Sequence, residues 1–389
     1  MAHMKRPAVV YHNPSMIRAG RWAGERGRQL VAAMQEAGGS VRAVPSTAAG
    51  QTTRPGPGMP RRLLARLPRQ WRGPLVTVRL MQRGTTNTVK WSWRLWRRLR
   101  SSPPDVLLAR YHEYEWTPLI VARLLHRPLV LEVHSSFALE GTLRGRRPSR
   151  VARWMDRLFW QRADLLWVHT PALRDIVAAR IDDPDKIRLI PFGIADPEMR
   201  AEPGTGGRIE VAFAGSFYPW HGVDELLEAF ARARMEAPEM HLTLIGDGVS
   251  RDDALDRAAA PDLAEATSFT GWLDRNALHR QLQQSHIGVA PYHDIGQSYF
   301  EPVKVLDYQM AGLAIVASDT GHIPNMAEDG EDAVLVPPGD VDALAAALVK
   351  LAADPGLRDE LGRAARQRAM HVEETAAAVL ELCRDAADL

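Results

Sequence analysis

The stretch "SYFEPVKVLDYQMAGLAIVAS", residues 298–318, sets Glu301, Lys304 and Asp307 three apart, shortly before Gly312 and an apolar run. On a helix these charges share one stripe, while Val303, Leu306 and Met310 lie opposite and face a core. Two acceptor-only carboxylates beside a donor-only ammonium can serve a ligand, or simply pair with one another on a solvated face. Which of these holds depends on where the fold puts the helix. It starts after a Pro-containing turn, stops at Gly312 and feeds "LAIVAS", a run of the kind found in parallel sheets.

The surrounding chain alternates strands with helical patterns. In the first half "AVVYHN", "DVLLAR", "PLVLEVH", "DLLWVHT" and "IRLIPFGI" read as strands, with helices over 18–37, 117–126, 149–163 and 171–181. In the second half the strands are "RIEVAFAGS", "MHLTLIGDG", "TSFTGW", "HIGVAPY", "LAIVAS" and "AVLVPP". The helices there fall near 222–236, 250–260, 274–284, 302–311, 340–353 and 356–384. This alternation predicts βαβ units and mostly parallel sheets. The expected class is α/β, with two Rossmann-like domains facing across a cleft. Expected bounds are 1–195 for the first domain and 208–365 for the second. A Pro/Gly-rich linker covers 196–207, and a C-terminal helix over 366–389 could cross back to the first domain. Ligands of open α/β sheets bind outside the carboxyl ends of the strands. "GSFYPWHG", "GDG", "GW" and "SYFEPVK" each follow a second-half strand, so the charged stripe points to a ligand edge.

Bulk properties narrow the class. Of 389 residues, 46% are hydrophobic and 25% charged, as in a soluble globular protein. A single cysteine, Cys383, excludes an intramolecular disulfide framework and fits a reducing compartment. No apolar run reaches the roughly 18 residues that a bilayer span needs. The opening "MAHM" reads as a cloning remnant rather than a signal. A cytoplasmic location is expected. The net charge of +2 hides an asymmetry: residues 1–200 hold 35 Lys and Arg against 15 Asp and Glu, residues 201–389 hold 14 against 32. Halves of opposite sign predict domains with different partners.

"AGSFYPWHGVDELLEAFARA", "LTLIGDG", "FTGWLDRNAL" and "KVLDYQMAGLAIVASDTGHIPNMAEDGEDAVLVPPGDVDALAAAL" resemble, in order, the nucleotide-sugar half of family 4 glycosyltransferases. These group 1 glycosyl transferases are retaining enzymes of the GT-B fold. The resemblance is strong over 208–350 and weaker in the first half, where "LEVHSSFALE", "RADLLWVHTPALRDIV" and "KIRLIPFGI" carry it. It implies that Asp307 holds the ribose hydroxyls of a nucleotide sugar, chemistry that a carboxylate performs by accepting from both members of a diol. It also implies backbone N–H groups for a diphosphate oxygen at Pro302 and Val303, helped by the helix dipole, and a point charge from Lys304. Trp272 and Leu273 fall where the family sets the nucleotide base. Gly215 permits close backbone approach to the donor, with Gly246 of "GDG" in the same donor-binding set.

Three departures stand out. The family's Arg and Lys on the phosphates are replaced by Ser216 and His221, so leaving-group stabilisation would lean on Lys304, amides and a protonated His221. The first Glu of E-x7-E falls at Tyr299, which leaves Glu301 as either a donor-sugar contact or a plain surface residue. Asn325 stands where many relatives have Glu. In the first half, His134 ends "PLVLEV" at the ligand edge and would bond a sugar hydroxyl or the acceptor, the other reading being a structural histidine. Glu140 is a further candidate. The expected catalytic residues are His134, Glu301 and Lys304.

"TNTVKWSWRLWRRLRS" interleaves Trp91, Trp93 and Trp96 with Lys90, Arg94, Arg97, Arg98 and Arg100, and residues 61–100 hold 12 Lys and Arg with no carboxylate. On a helix Val89, Trp93 and Trp96 share a side opposite most of the arginines, the signature of an interfacial helix on anionic lipid. A core-packed surface helix with solvated arginines is the alternative. Nucleic acid is set aside because no binding motif for it accompanies the segment. The D-x-D pairs in "DDPD" (182–185) and "DVD" (340–342) read as turn and N-cap residues. Histidine and cysteine spacing suggests no metal, and no other cofactor is expected. No G-x-G-x-x-G opens the first half, against a dinucleotide oxidoreductase.

The expected function is retaining transfer of a hexosyl or N-acetylhexosaminyl group from a nucleotide diphosphate sugar to a lipid-linked saccharide or surface polysaccharide. The protein would lie peripherally on the inner face of the cell membrane. Alternatives are a soluble small-molecule acceptor, a nucleotide-sugar epimerase, and a non-catalytic membrane-binding scaffold that has lost both phosphate cations.

Overall fold

Short apolar runs, buried on both faces in the central strands, build two sheets, as parallel sheets covered by helices require. The structure, a computed structural model, describes residues 7–13, 22–44, 88–112, 115–143, 150–195, 207–296 and 298–389. Most of the basic 61–100 segment and nearly all of the expected 196–207 linker lie outside these residues. Contacts divide the chain into two units, Met1–Pro191 with Glu373–Leu389, and Phe192–Val372.

The first unit carries β1 (Ala8–His12), β2 (Ser40–Val44), β3 (Val106–Arg110), β4 (Leu129–Val133), β5 (Leu165–Val168) and β6 (Ile187–Leu189), in spatial order β2-β1-β3-β4-β5-β6. The second carries β7 (Ile209–Ala214), β8 (Met240–Ile245), β9 (Thr267–Gly271), β10 (Ile287–Ala290), β11 (Ala314–Ser318) and β12 (Val334–Val336), in order β12-β11-β10-β7-β8-β9. Every pairing is parallel. The expected α/β class and both Rossmann-like sheets are therefore present. Strand order reverses between β1 and β3 in one sheet and between β7 and β10 in the other. Such reversals open the crevice where α/β sheets take ligands.

The helix Val303–Ala311 is locked over the second reversal. A Cβ on Gly288 of β10 would fall 2.5 Å from the Tyr308 ring, so glycine there lets the helix sit against the sheet. The Tyr308 hydroxyl accepts from Ala214 N at 2.8 Å and donates to Val289 O at 3.1 Å, stitching the helix to the ends of β7 and β10. Residues Lys304–Ala311 are all buried. The helix thus has no solvated face, and the charged stripe is not a surface ion-pair row.

Several local readings needed correction. The single helix expected over 356–384 is two, Pro355–Arg368 and Val372–Ala387. The break exists because His371 bridges Ile194: Ile194 N donates to Met370 O and Val372 N to Ile194 O, each at 3.1 Å. Strand β2 and the short helix Phe137–Leu143 were not foreseen. That helix starts where Ser136 Oγ and the amides of Phe137 and Ala138 donate to buried Asp156, a partner distant in sequence. Both D-x-D pairs do local work: Asp183 accepts from Asp185 N, and Asp340 caps its helix through Ala343 N at 2.9 Å.

Gly193 lies where two backbone segments nearly touch. A Cβ there would sit 2.2 Å from His371 O and 2.8 Å from Val372 N. Backbone cannot yield as a side-chain tip can, so Gly193→Ala should destabilise the protein by about 2–4 kcal/mol. Urea unfolding reads this directly, and an unchanged midpoint would refute the close approach.

Candidate functional site

At the β7/β10 reversal the turn after β7 meets the start of the 303–311 helix. Gly215 and Gly246 lie so close that a Cβ on Gly246 would fall 1.8 Å from Gly215 O, and one on Gly215 would fall 3.1 Å from Lys304 Cε. The turns are tied edge to edge: Gly215 N donates to Ile245 O and Gly246 N to Gly271 O, both at 2.9 Å. Side chains larger than hydrogen cannot occupy these positions.

Lys304 is 5% exposed, and its Nζ has no hydrogen-bond partner among the described residues. It sits 3.9 Å from the Phe213 ring centroid and 4.4 Å from that of Tyr292. Two desolvated cation–π contacts give about 2 kcal/mol each. Burying an ammonium with no counter-charge costs several kcal/mol, so the rings do not fully offset it. Burial accordingly pushes the Lys304 pKa well below the ordinary lysine value.

His221 closes the same pocket wall. Its Nδ1 bonds the Ser216 carbonyl, which only accepts, so Nδ1 carries the proton and Nε2 is left as an acceptor. Burial first, and then Lys304, push its pKa down to about 2. Without ligand the His221 ring is therefore neutral, not the protonated ring expected beside the phosphates.

Asp307 is 5% exposed and pairs with Arg275, whose Nη1 lies 2.7 Å from Oδ1. Trp272, between β9 and the helix Arg275–Gln283, is 63% exposed, whereas Leu273 packs on the core under the site. Glu301 precedes the helix instead of sharing its stripe, and its Oε1 accepts from Phe192 N at 3.1 Å. The free amides expected at Pro302 and Val303 are also corrected. Proline has no N–H, and Val303 N donates to Glu301 O at 2.9 Å.

In the first unit His134 follows β4, beside a buried network. Tyr11 donates to Glu132 at 2.6 Å, Asn13 to Tyr11 at 2.9 Å, and Arg110 lies 3.3 Å from the same carboxylate. Burial opposes the charge on Glu132, but Arg110 and His169 prevail and hold its carboxyl below the usual range. Burial and Arg110 push His134 the other way from protonation, leaving a neutral ring whose Nδ1 has no partner among the described residues. Glu140 lies in the following helix, half-buried.

The sequence reading missed Arg275, Phe213 and Tyr292. Arg275 follows a helix-capping Asp274 and reads locally as a surface residue, and nothing in the spacing of Phe213 or Tyr292 marks them as walls around a lysine. Among the described residues no cluster of His, Cys, Asp or Glu is placed to hold a metal, and no helix is long and apolar enough to cross a membrane.

Comparisons with known proteins cover both units. Residues 208–354 match the family model described as glycosyl transferases group 1, and residues 23–193 match a glycosyl transferase 4-like domain. The chain is 24% identical over 261 residues to alpha-D-kanosaminyltransferase of Streptomyces kanamyceticus, covering 63% of this chain and 66% of that one, slightly under two thirds of the relative's length. The fold is shared with sucrose-phosphate synthase from Thermosynechococcus elongatus, with a TM-score of 0.69 at 19% identity and coverage of 97% and 98% of the two chains. It is shared also with Anabaena HepE, solved in complex with UDP and glucose, at 0.65 and 15% with coverage of 96% and 98%. With each half matched in turn, the chain belongs to the group 1 glycosyl transferases, family 4 of the GT-B fold.

Proposed function

We propose that the chain transfers a hexosyl or N-acetylhexosaminyl group, with retention, from a nucleotide diphosphate sugar to a lipid-linked saccharide or growing polysaccharide. Lys304 carries this reading: a buried amine with no hydrogen-bond partner among the described residues, at the carboxyl edge of β7 and β10, would be held as an ammonium by a bound anion. A diphosphate supplies one. Asp307, one turn along the same helix, takes the ribose diol, and Trp272 offers an exposed ring to the base. The UDP and glucose held by HepE agree in chemistry.

In the transfer, the acceptor oxygen bonds to the anomeric carbon while the bond to the β-phosphate oxygen breaks with its electron pair. The acceptor proton ends on the departing diphosphate. Because negative charge grows on that group, the Lys304 ammonium favours the transition state over the ground state. Neutral His221 presents Nε2 to a sugar hydroxyl, and neutral His134 serves a hydroxyl of donor or acceptor. No step calls for a metal, so activity should survive EDTA.

A place on an anionic membrane surface is favoured by the helix over residues 88–99. Its buried side is Thr88, Ser92, Leu95 and Leu99, which leaves Val89 71% and Trp93 56% exposed. Trp93 stacks on Trp96 at 5.0 Å, and Arg94 lies over Trp91 at 4.7 Å. Exposed aromatics among cations suit the headgroup boundary.

Lys304→Met should raise the unfolding midpoint of the ligand-free protein by a few degrees, because it removes a buried charge costing about 1–3 kcal/mol. Nucleotide affinity and transfer should fall by about tenfold or more. The folded state holds this proton less tightly than the unfolded chain, so wild-type stability rises with pH between the depressed value and the ordinary lysine value. Donor binding needs the ammonium and weakens over that same range. The variant loses both slopes; a destabilised variant with unchanged nucleotide affinity would defeat the reading.

Incubating donor with and without acceptor separates transfer from epimerisation, and Asp307→Ala with undiminished nucleotide affinity would favour a scaffold. Sedimentation with phosphatidylglycerol vesicles should exceed that with neutral vesicles, fall with salt and fall again in Trp93→Ser. Equal pelleting with both vesicle types would remove the membrane from the picture.

A further inference from the structure

Arg275 opens the helix after β9, and its side chain is only 10% exposed. Nη1 holds Asp307 at 2.7 Å, but Nε and Nη2 are buried without a hydrogen-bond partner among the described residues. Guanidinium donors are seldom left unused inside a protein, because each gives up its hydration for nothing. Its neighbour is the carboxylate assigned to the ribose diol. A ribose hydroxyl both donates and accepts, whereas a carboxylate only accepts and a guanidinium only donates. Asp307 by itself satisfies the hydroxyl hydrogens and leaves the oxygen lone pairs unread.

We propose that Arg275 and Asp307 form one recognition unit, in which the free Arg275 N–H groups donate to the ribose hydroxyl oxygens while Asp307 accepts from their hydrogens. Arg275 then makes the site specific for ribonucleotides, since a 2′-deoxy donor would leave both a buried N–H and a carboxylate lone pair without partners. It also supplies a second cation to a donor site whose first-strand turn offers only Ser216 and His221. The inference rests on the reading of Asp307 as the ribose carboxylate.

The test is calorimetry with UDP, GDP and ADP, followed by the 2′-deoxy form of whichever binds most tightly. Wild type should prefer the ribo form by about a hundredfold or more, because the 2′-deoxy form leaves buried polar groups of the site unpaired. Arg275→Lys keeps the charge beside Asp307 but loses the fork, so the preference should drop to about threefold with the unfolding midpoint preserved. Arg275→Gln should drop it equally. If both variants bind more weakly yet keep the full preference, Arg275 merely holds Asp307 and the inference fails. If Asp307→Asn leaves ribonucleotide affinity intact, the ribose assignment itself fails, and the two failures are distinct.

Discussion

One buried lysine, its amine without a hydrogen-bond partner among the described residues, organises the second unit. Lys304 is enclosed by Phe213 and Tyr292, with Gly215 against its Cε and no carboxylate in reach among the described residues. A fold selected for stability alone would place an apolar side chain here, since a buried unpaired ammonium is a net loss. Its surroundings make sense as a means of keeping it in position despite that loss. Gly288 admits the Tyr308 ring, and the Tyr308 hydroxyl ties the helix to both strands at the sheet reversal. The helix that carries the lysine is tied to both strands, with the lysine itself buried.

The neighbouring carboxylate shows the opposite solution. Asp307 is as deeply buried but has Arg275 at ion-pair distance as a counter-charge. One helix thus carries a charge that is matched and a charge that waits. Burial first, and then the neighbouring lysine, keep the His221 imidazole neutral, and its proton is fixed on Nδ1 by the Ser216 carbonyl. The loss of the family's two phosphate cations from this turn need not mean loss of anion binding. Lys304 and Arg275, on the helices Val303–Ala311 and Arg275–Gln283, still bring positive charge to this unit, Arg275 paired with Asp307.

Much of this was legible in the sequence and some could not be. All six strands of the second sheet were readable, because apolar runs such as "LAIVAS" have one stable home, and the caps at Asp274 and Asp340 follow from local hydrogen bonding. The spacing of Lys304 and Asp307 placed them correctly on one helix. Periodicity, however, assigns a charged stripe to solvent, and only the sheet reversal reveals that this helix is buried all round. Glu301 looked equivalent to its neighbours, yet the helix starts after it and its carboxylate answers Phe192, over a hundred residues away. The break at residues 369–371 is likewise invisible locally, since Ile194 dictates it. Arg275 shows the same limit: a residue after a cap looks exposed until its distant partner is known.

The charge distribution leaves one apparent contradiction. Residues 201–389 hold 32 acidic against 14 basic side chains, so the half that would take a dianionic donor is itself strongly negative. Range resolves it. Surface carboxylates such as Asp342 and Glu331 are well exposed, and at physiological salt charges act over only about 8 Å through water. A cation inside the protein is screened far less. The site therefore senses Lys304 and Arg275 almost undiminished, while the acidic exterior is muted beyond its own neighbourhood. Local burial, not net charge, sets which ion this unit can hold.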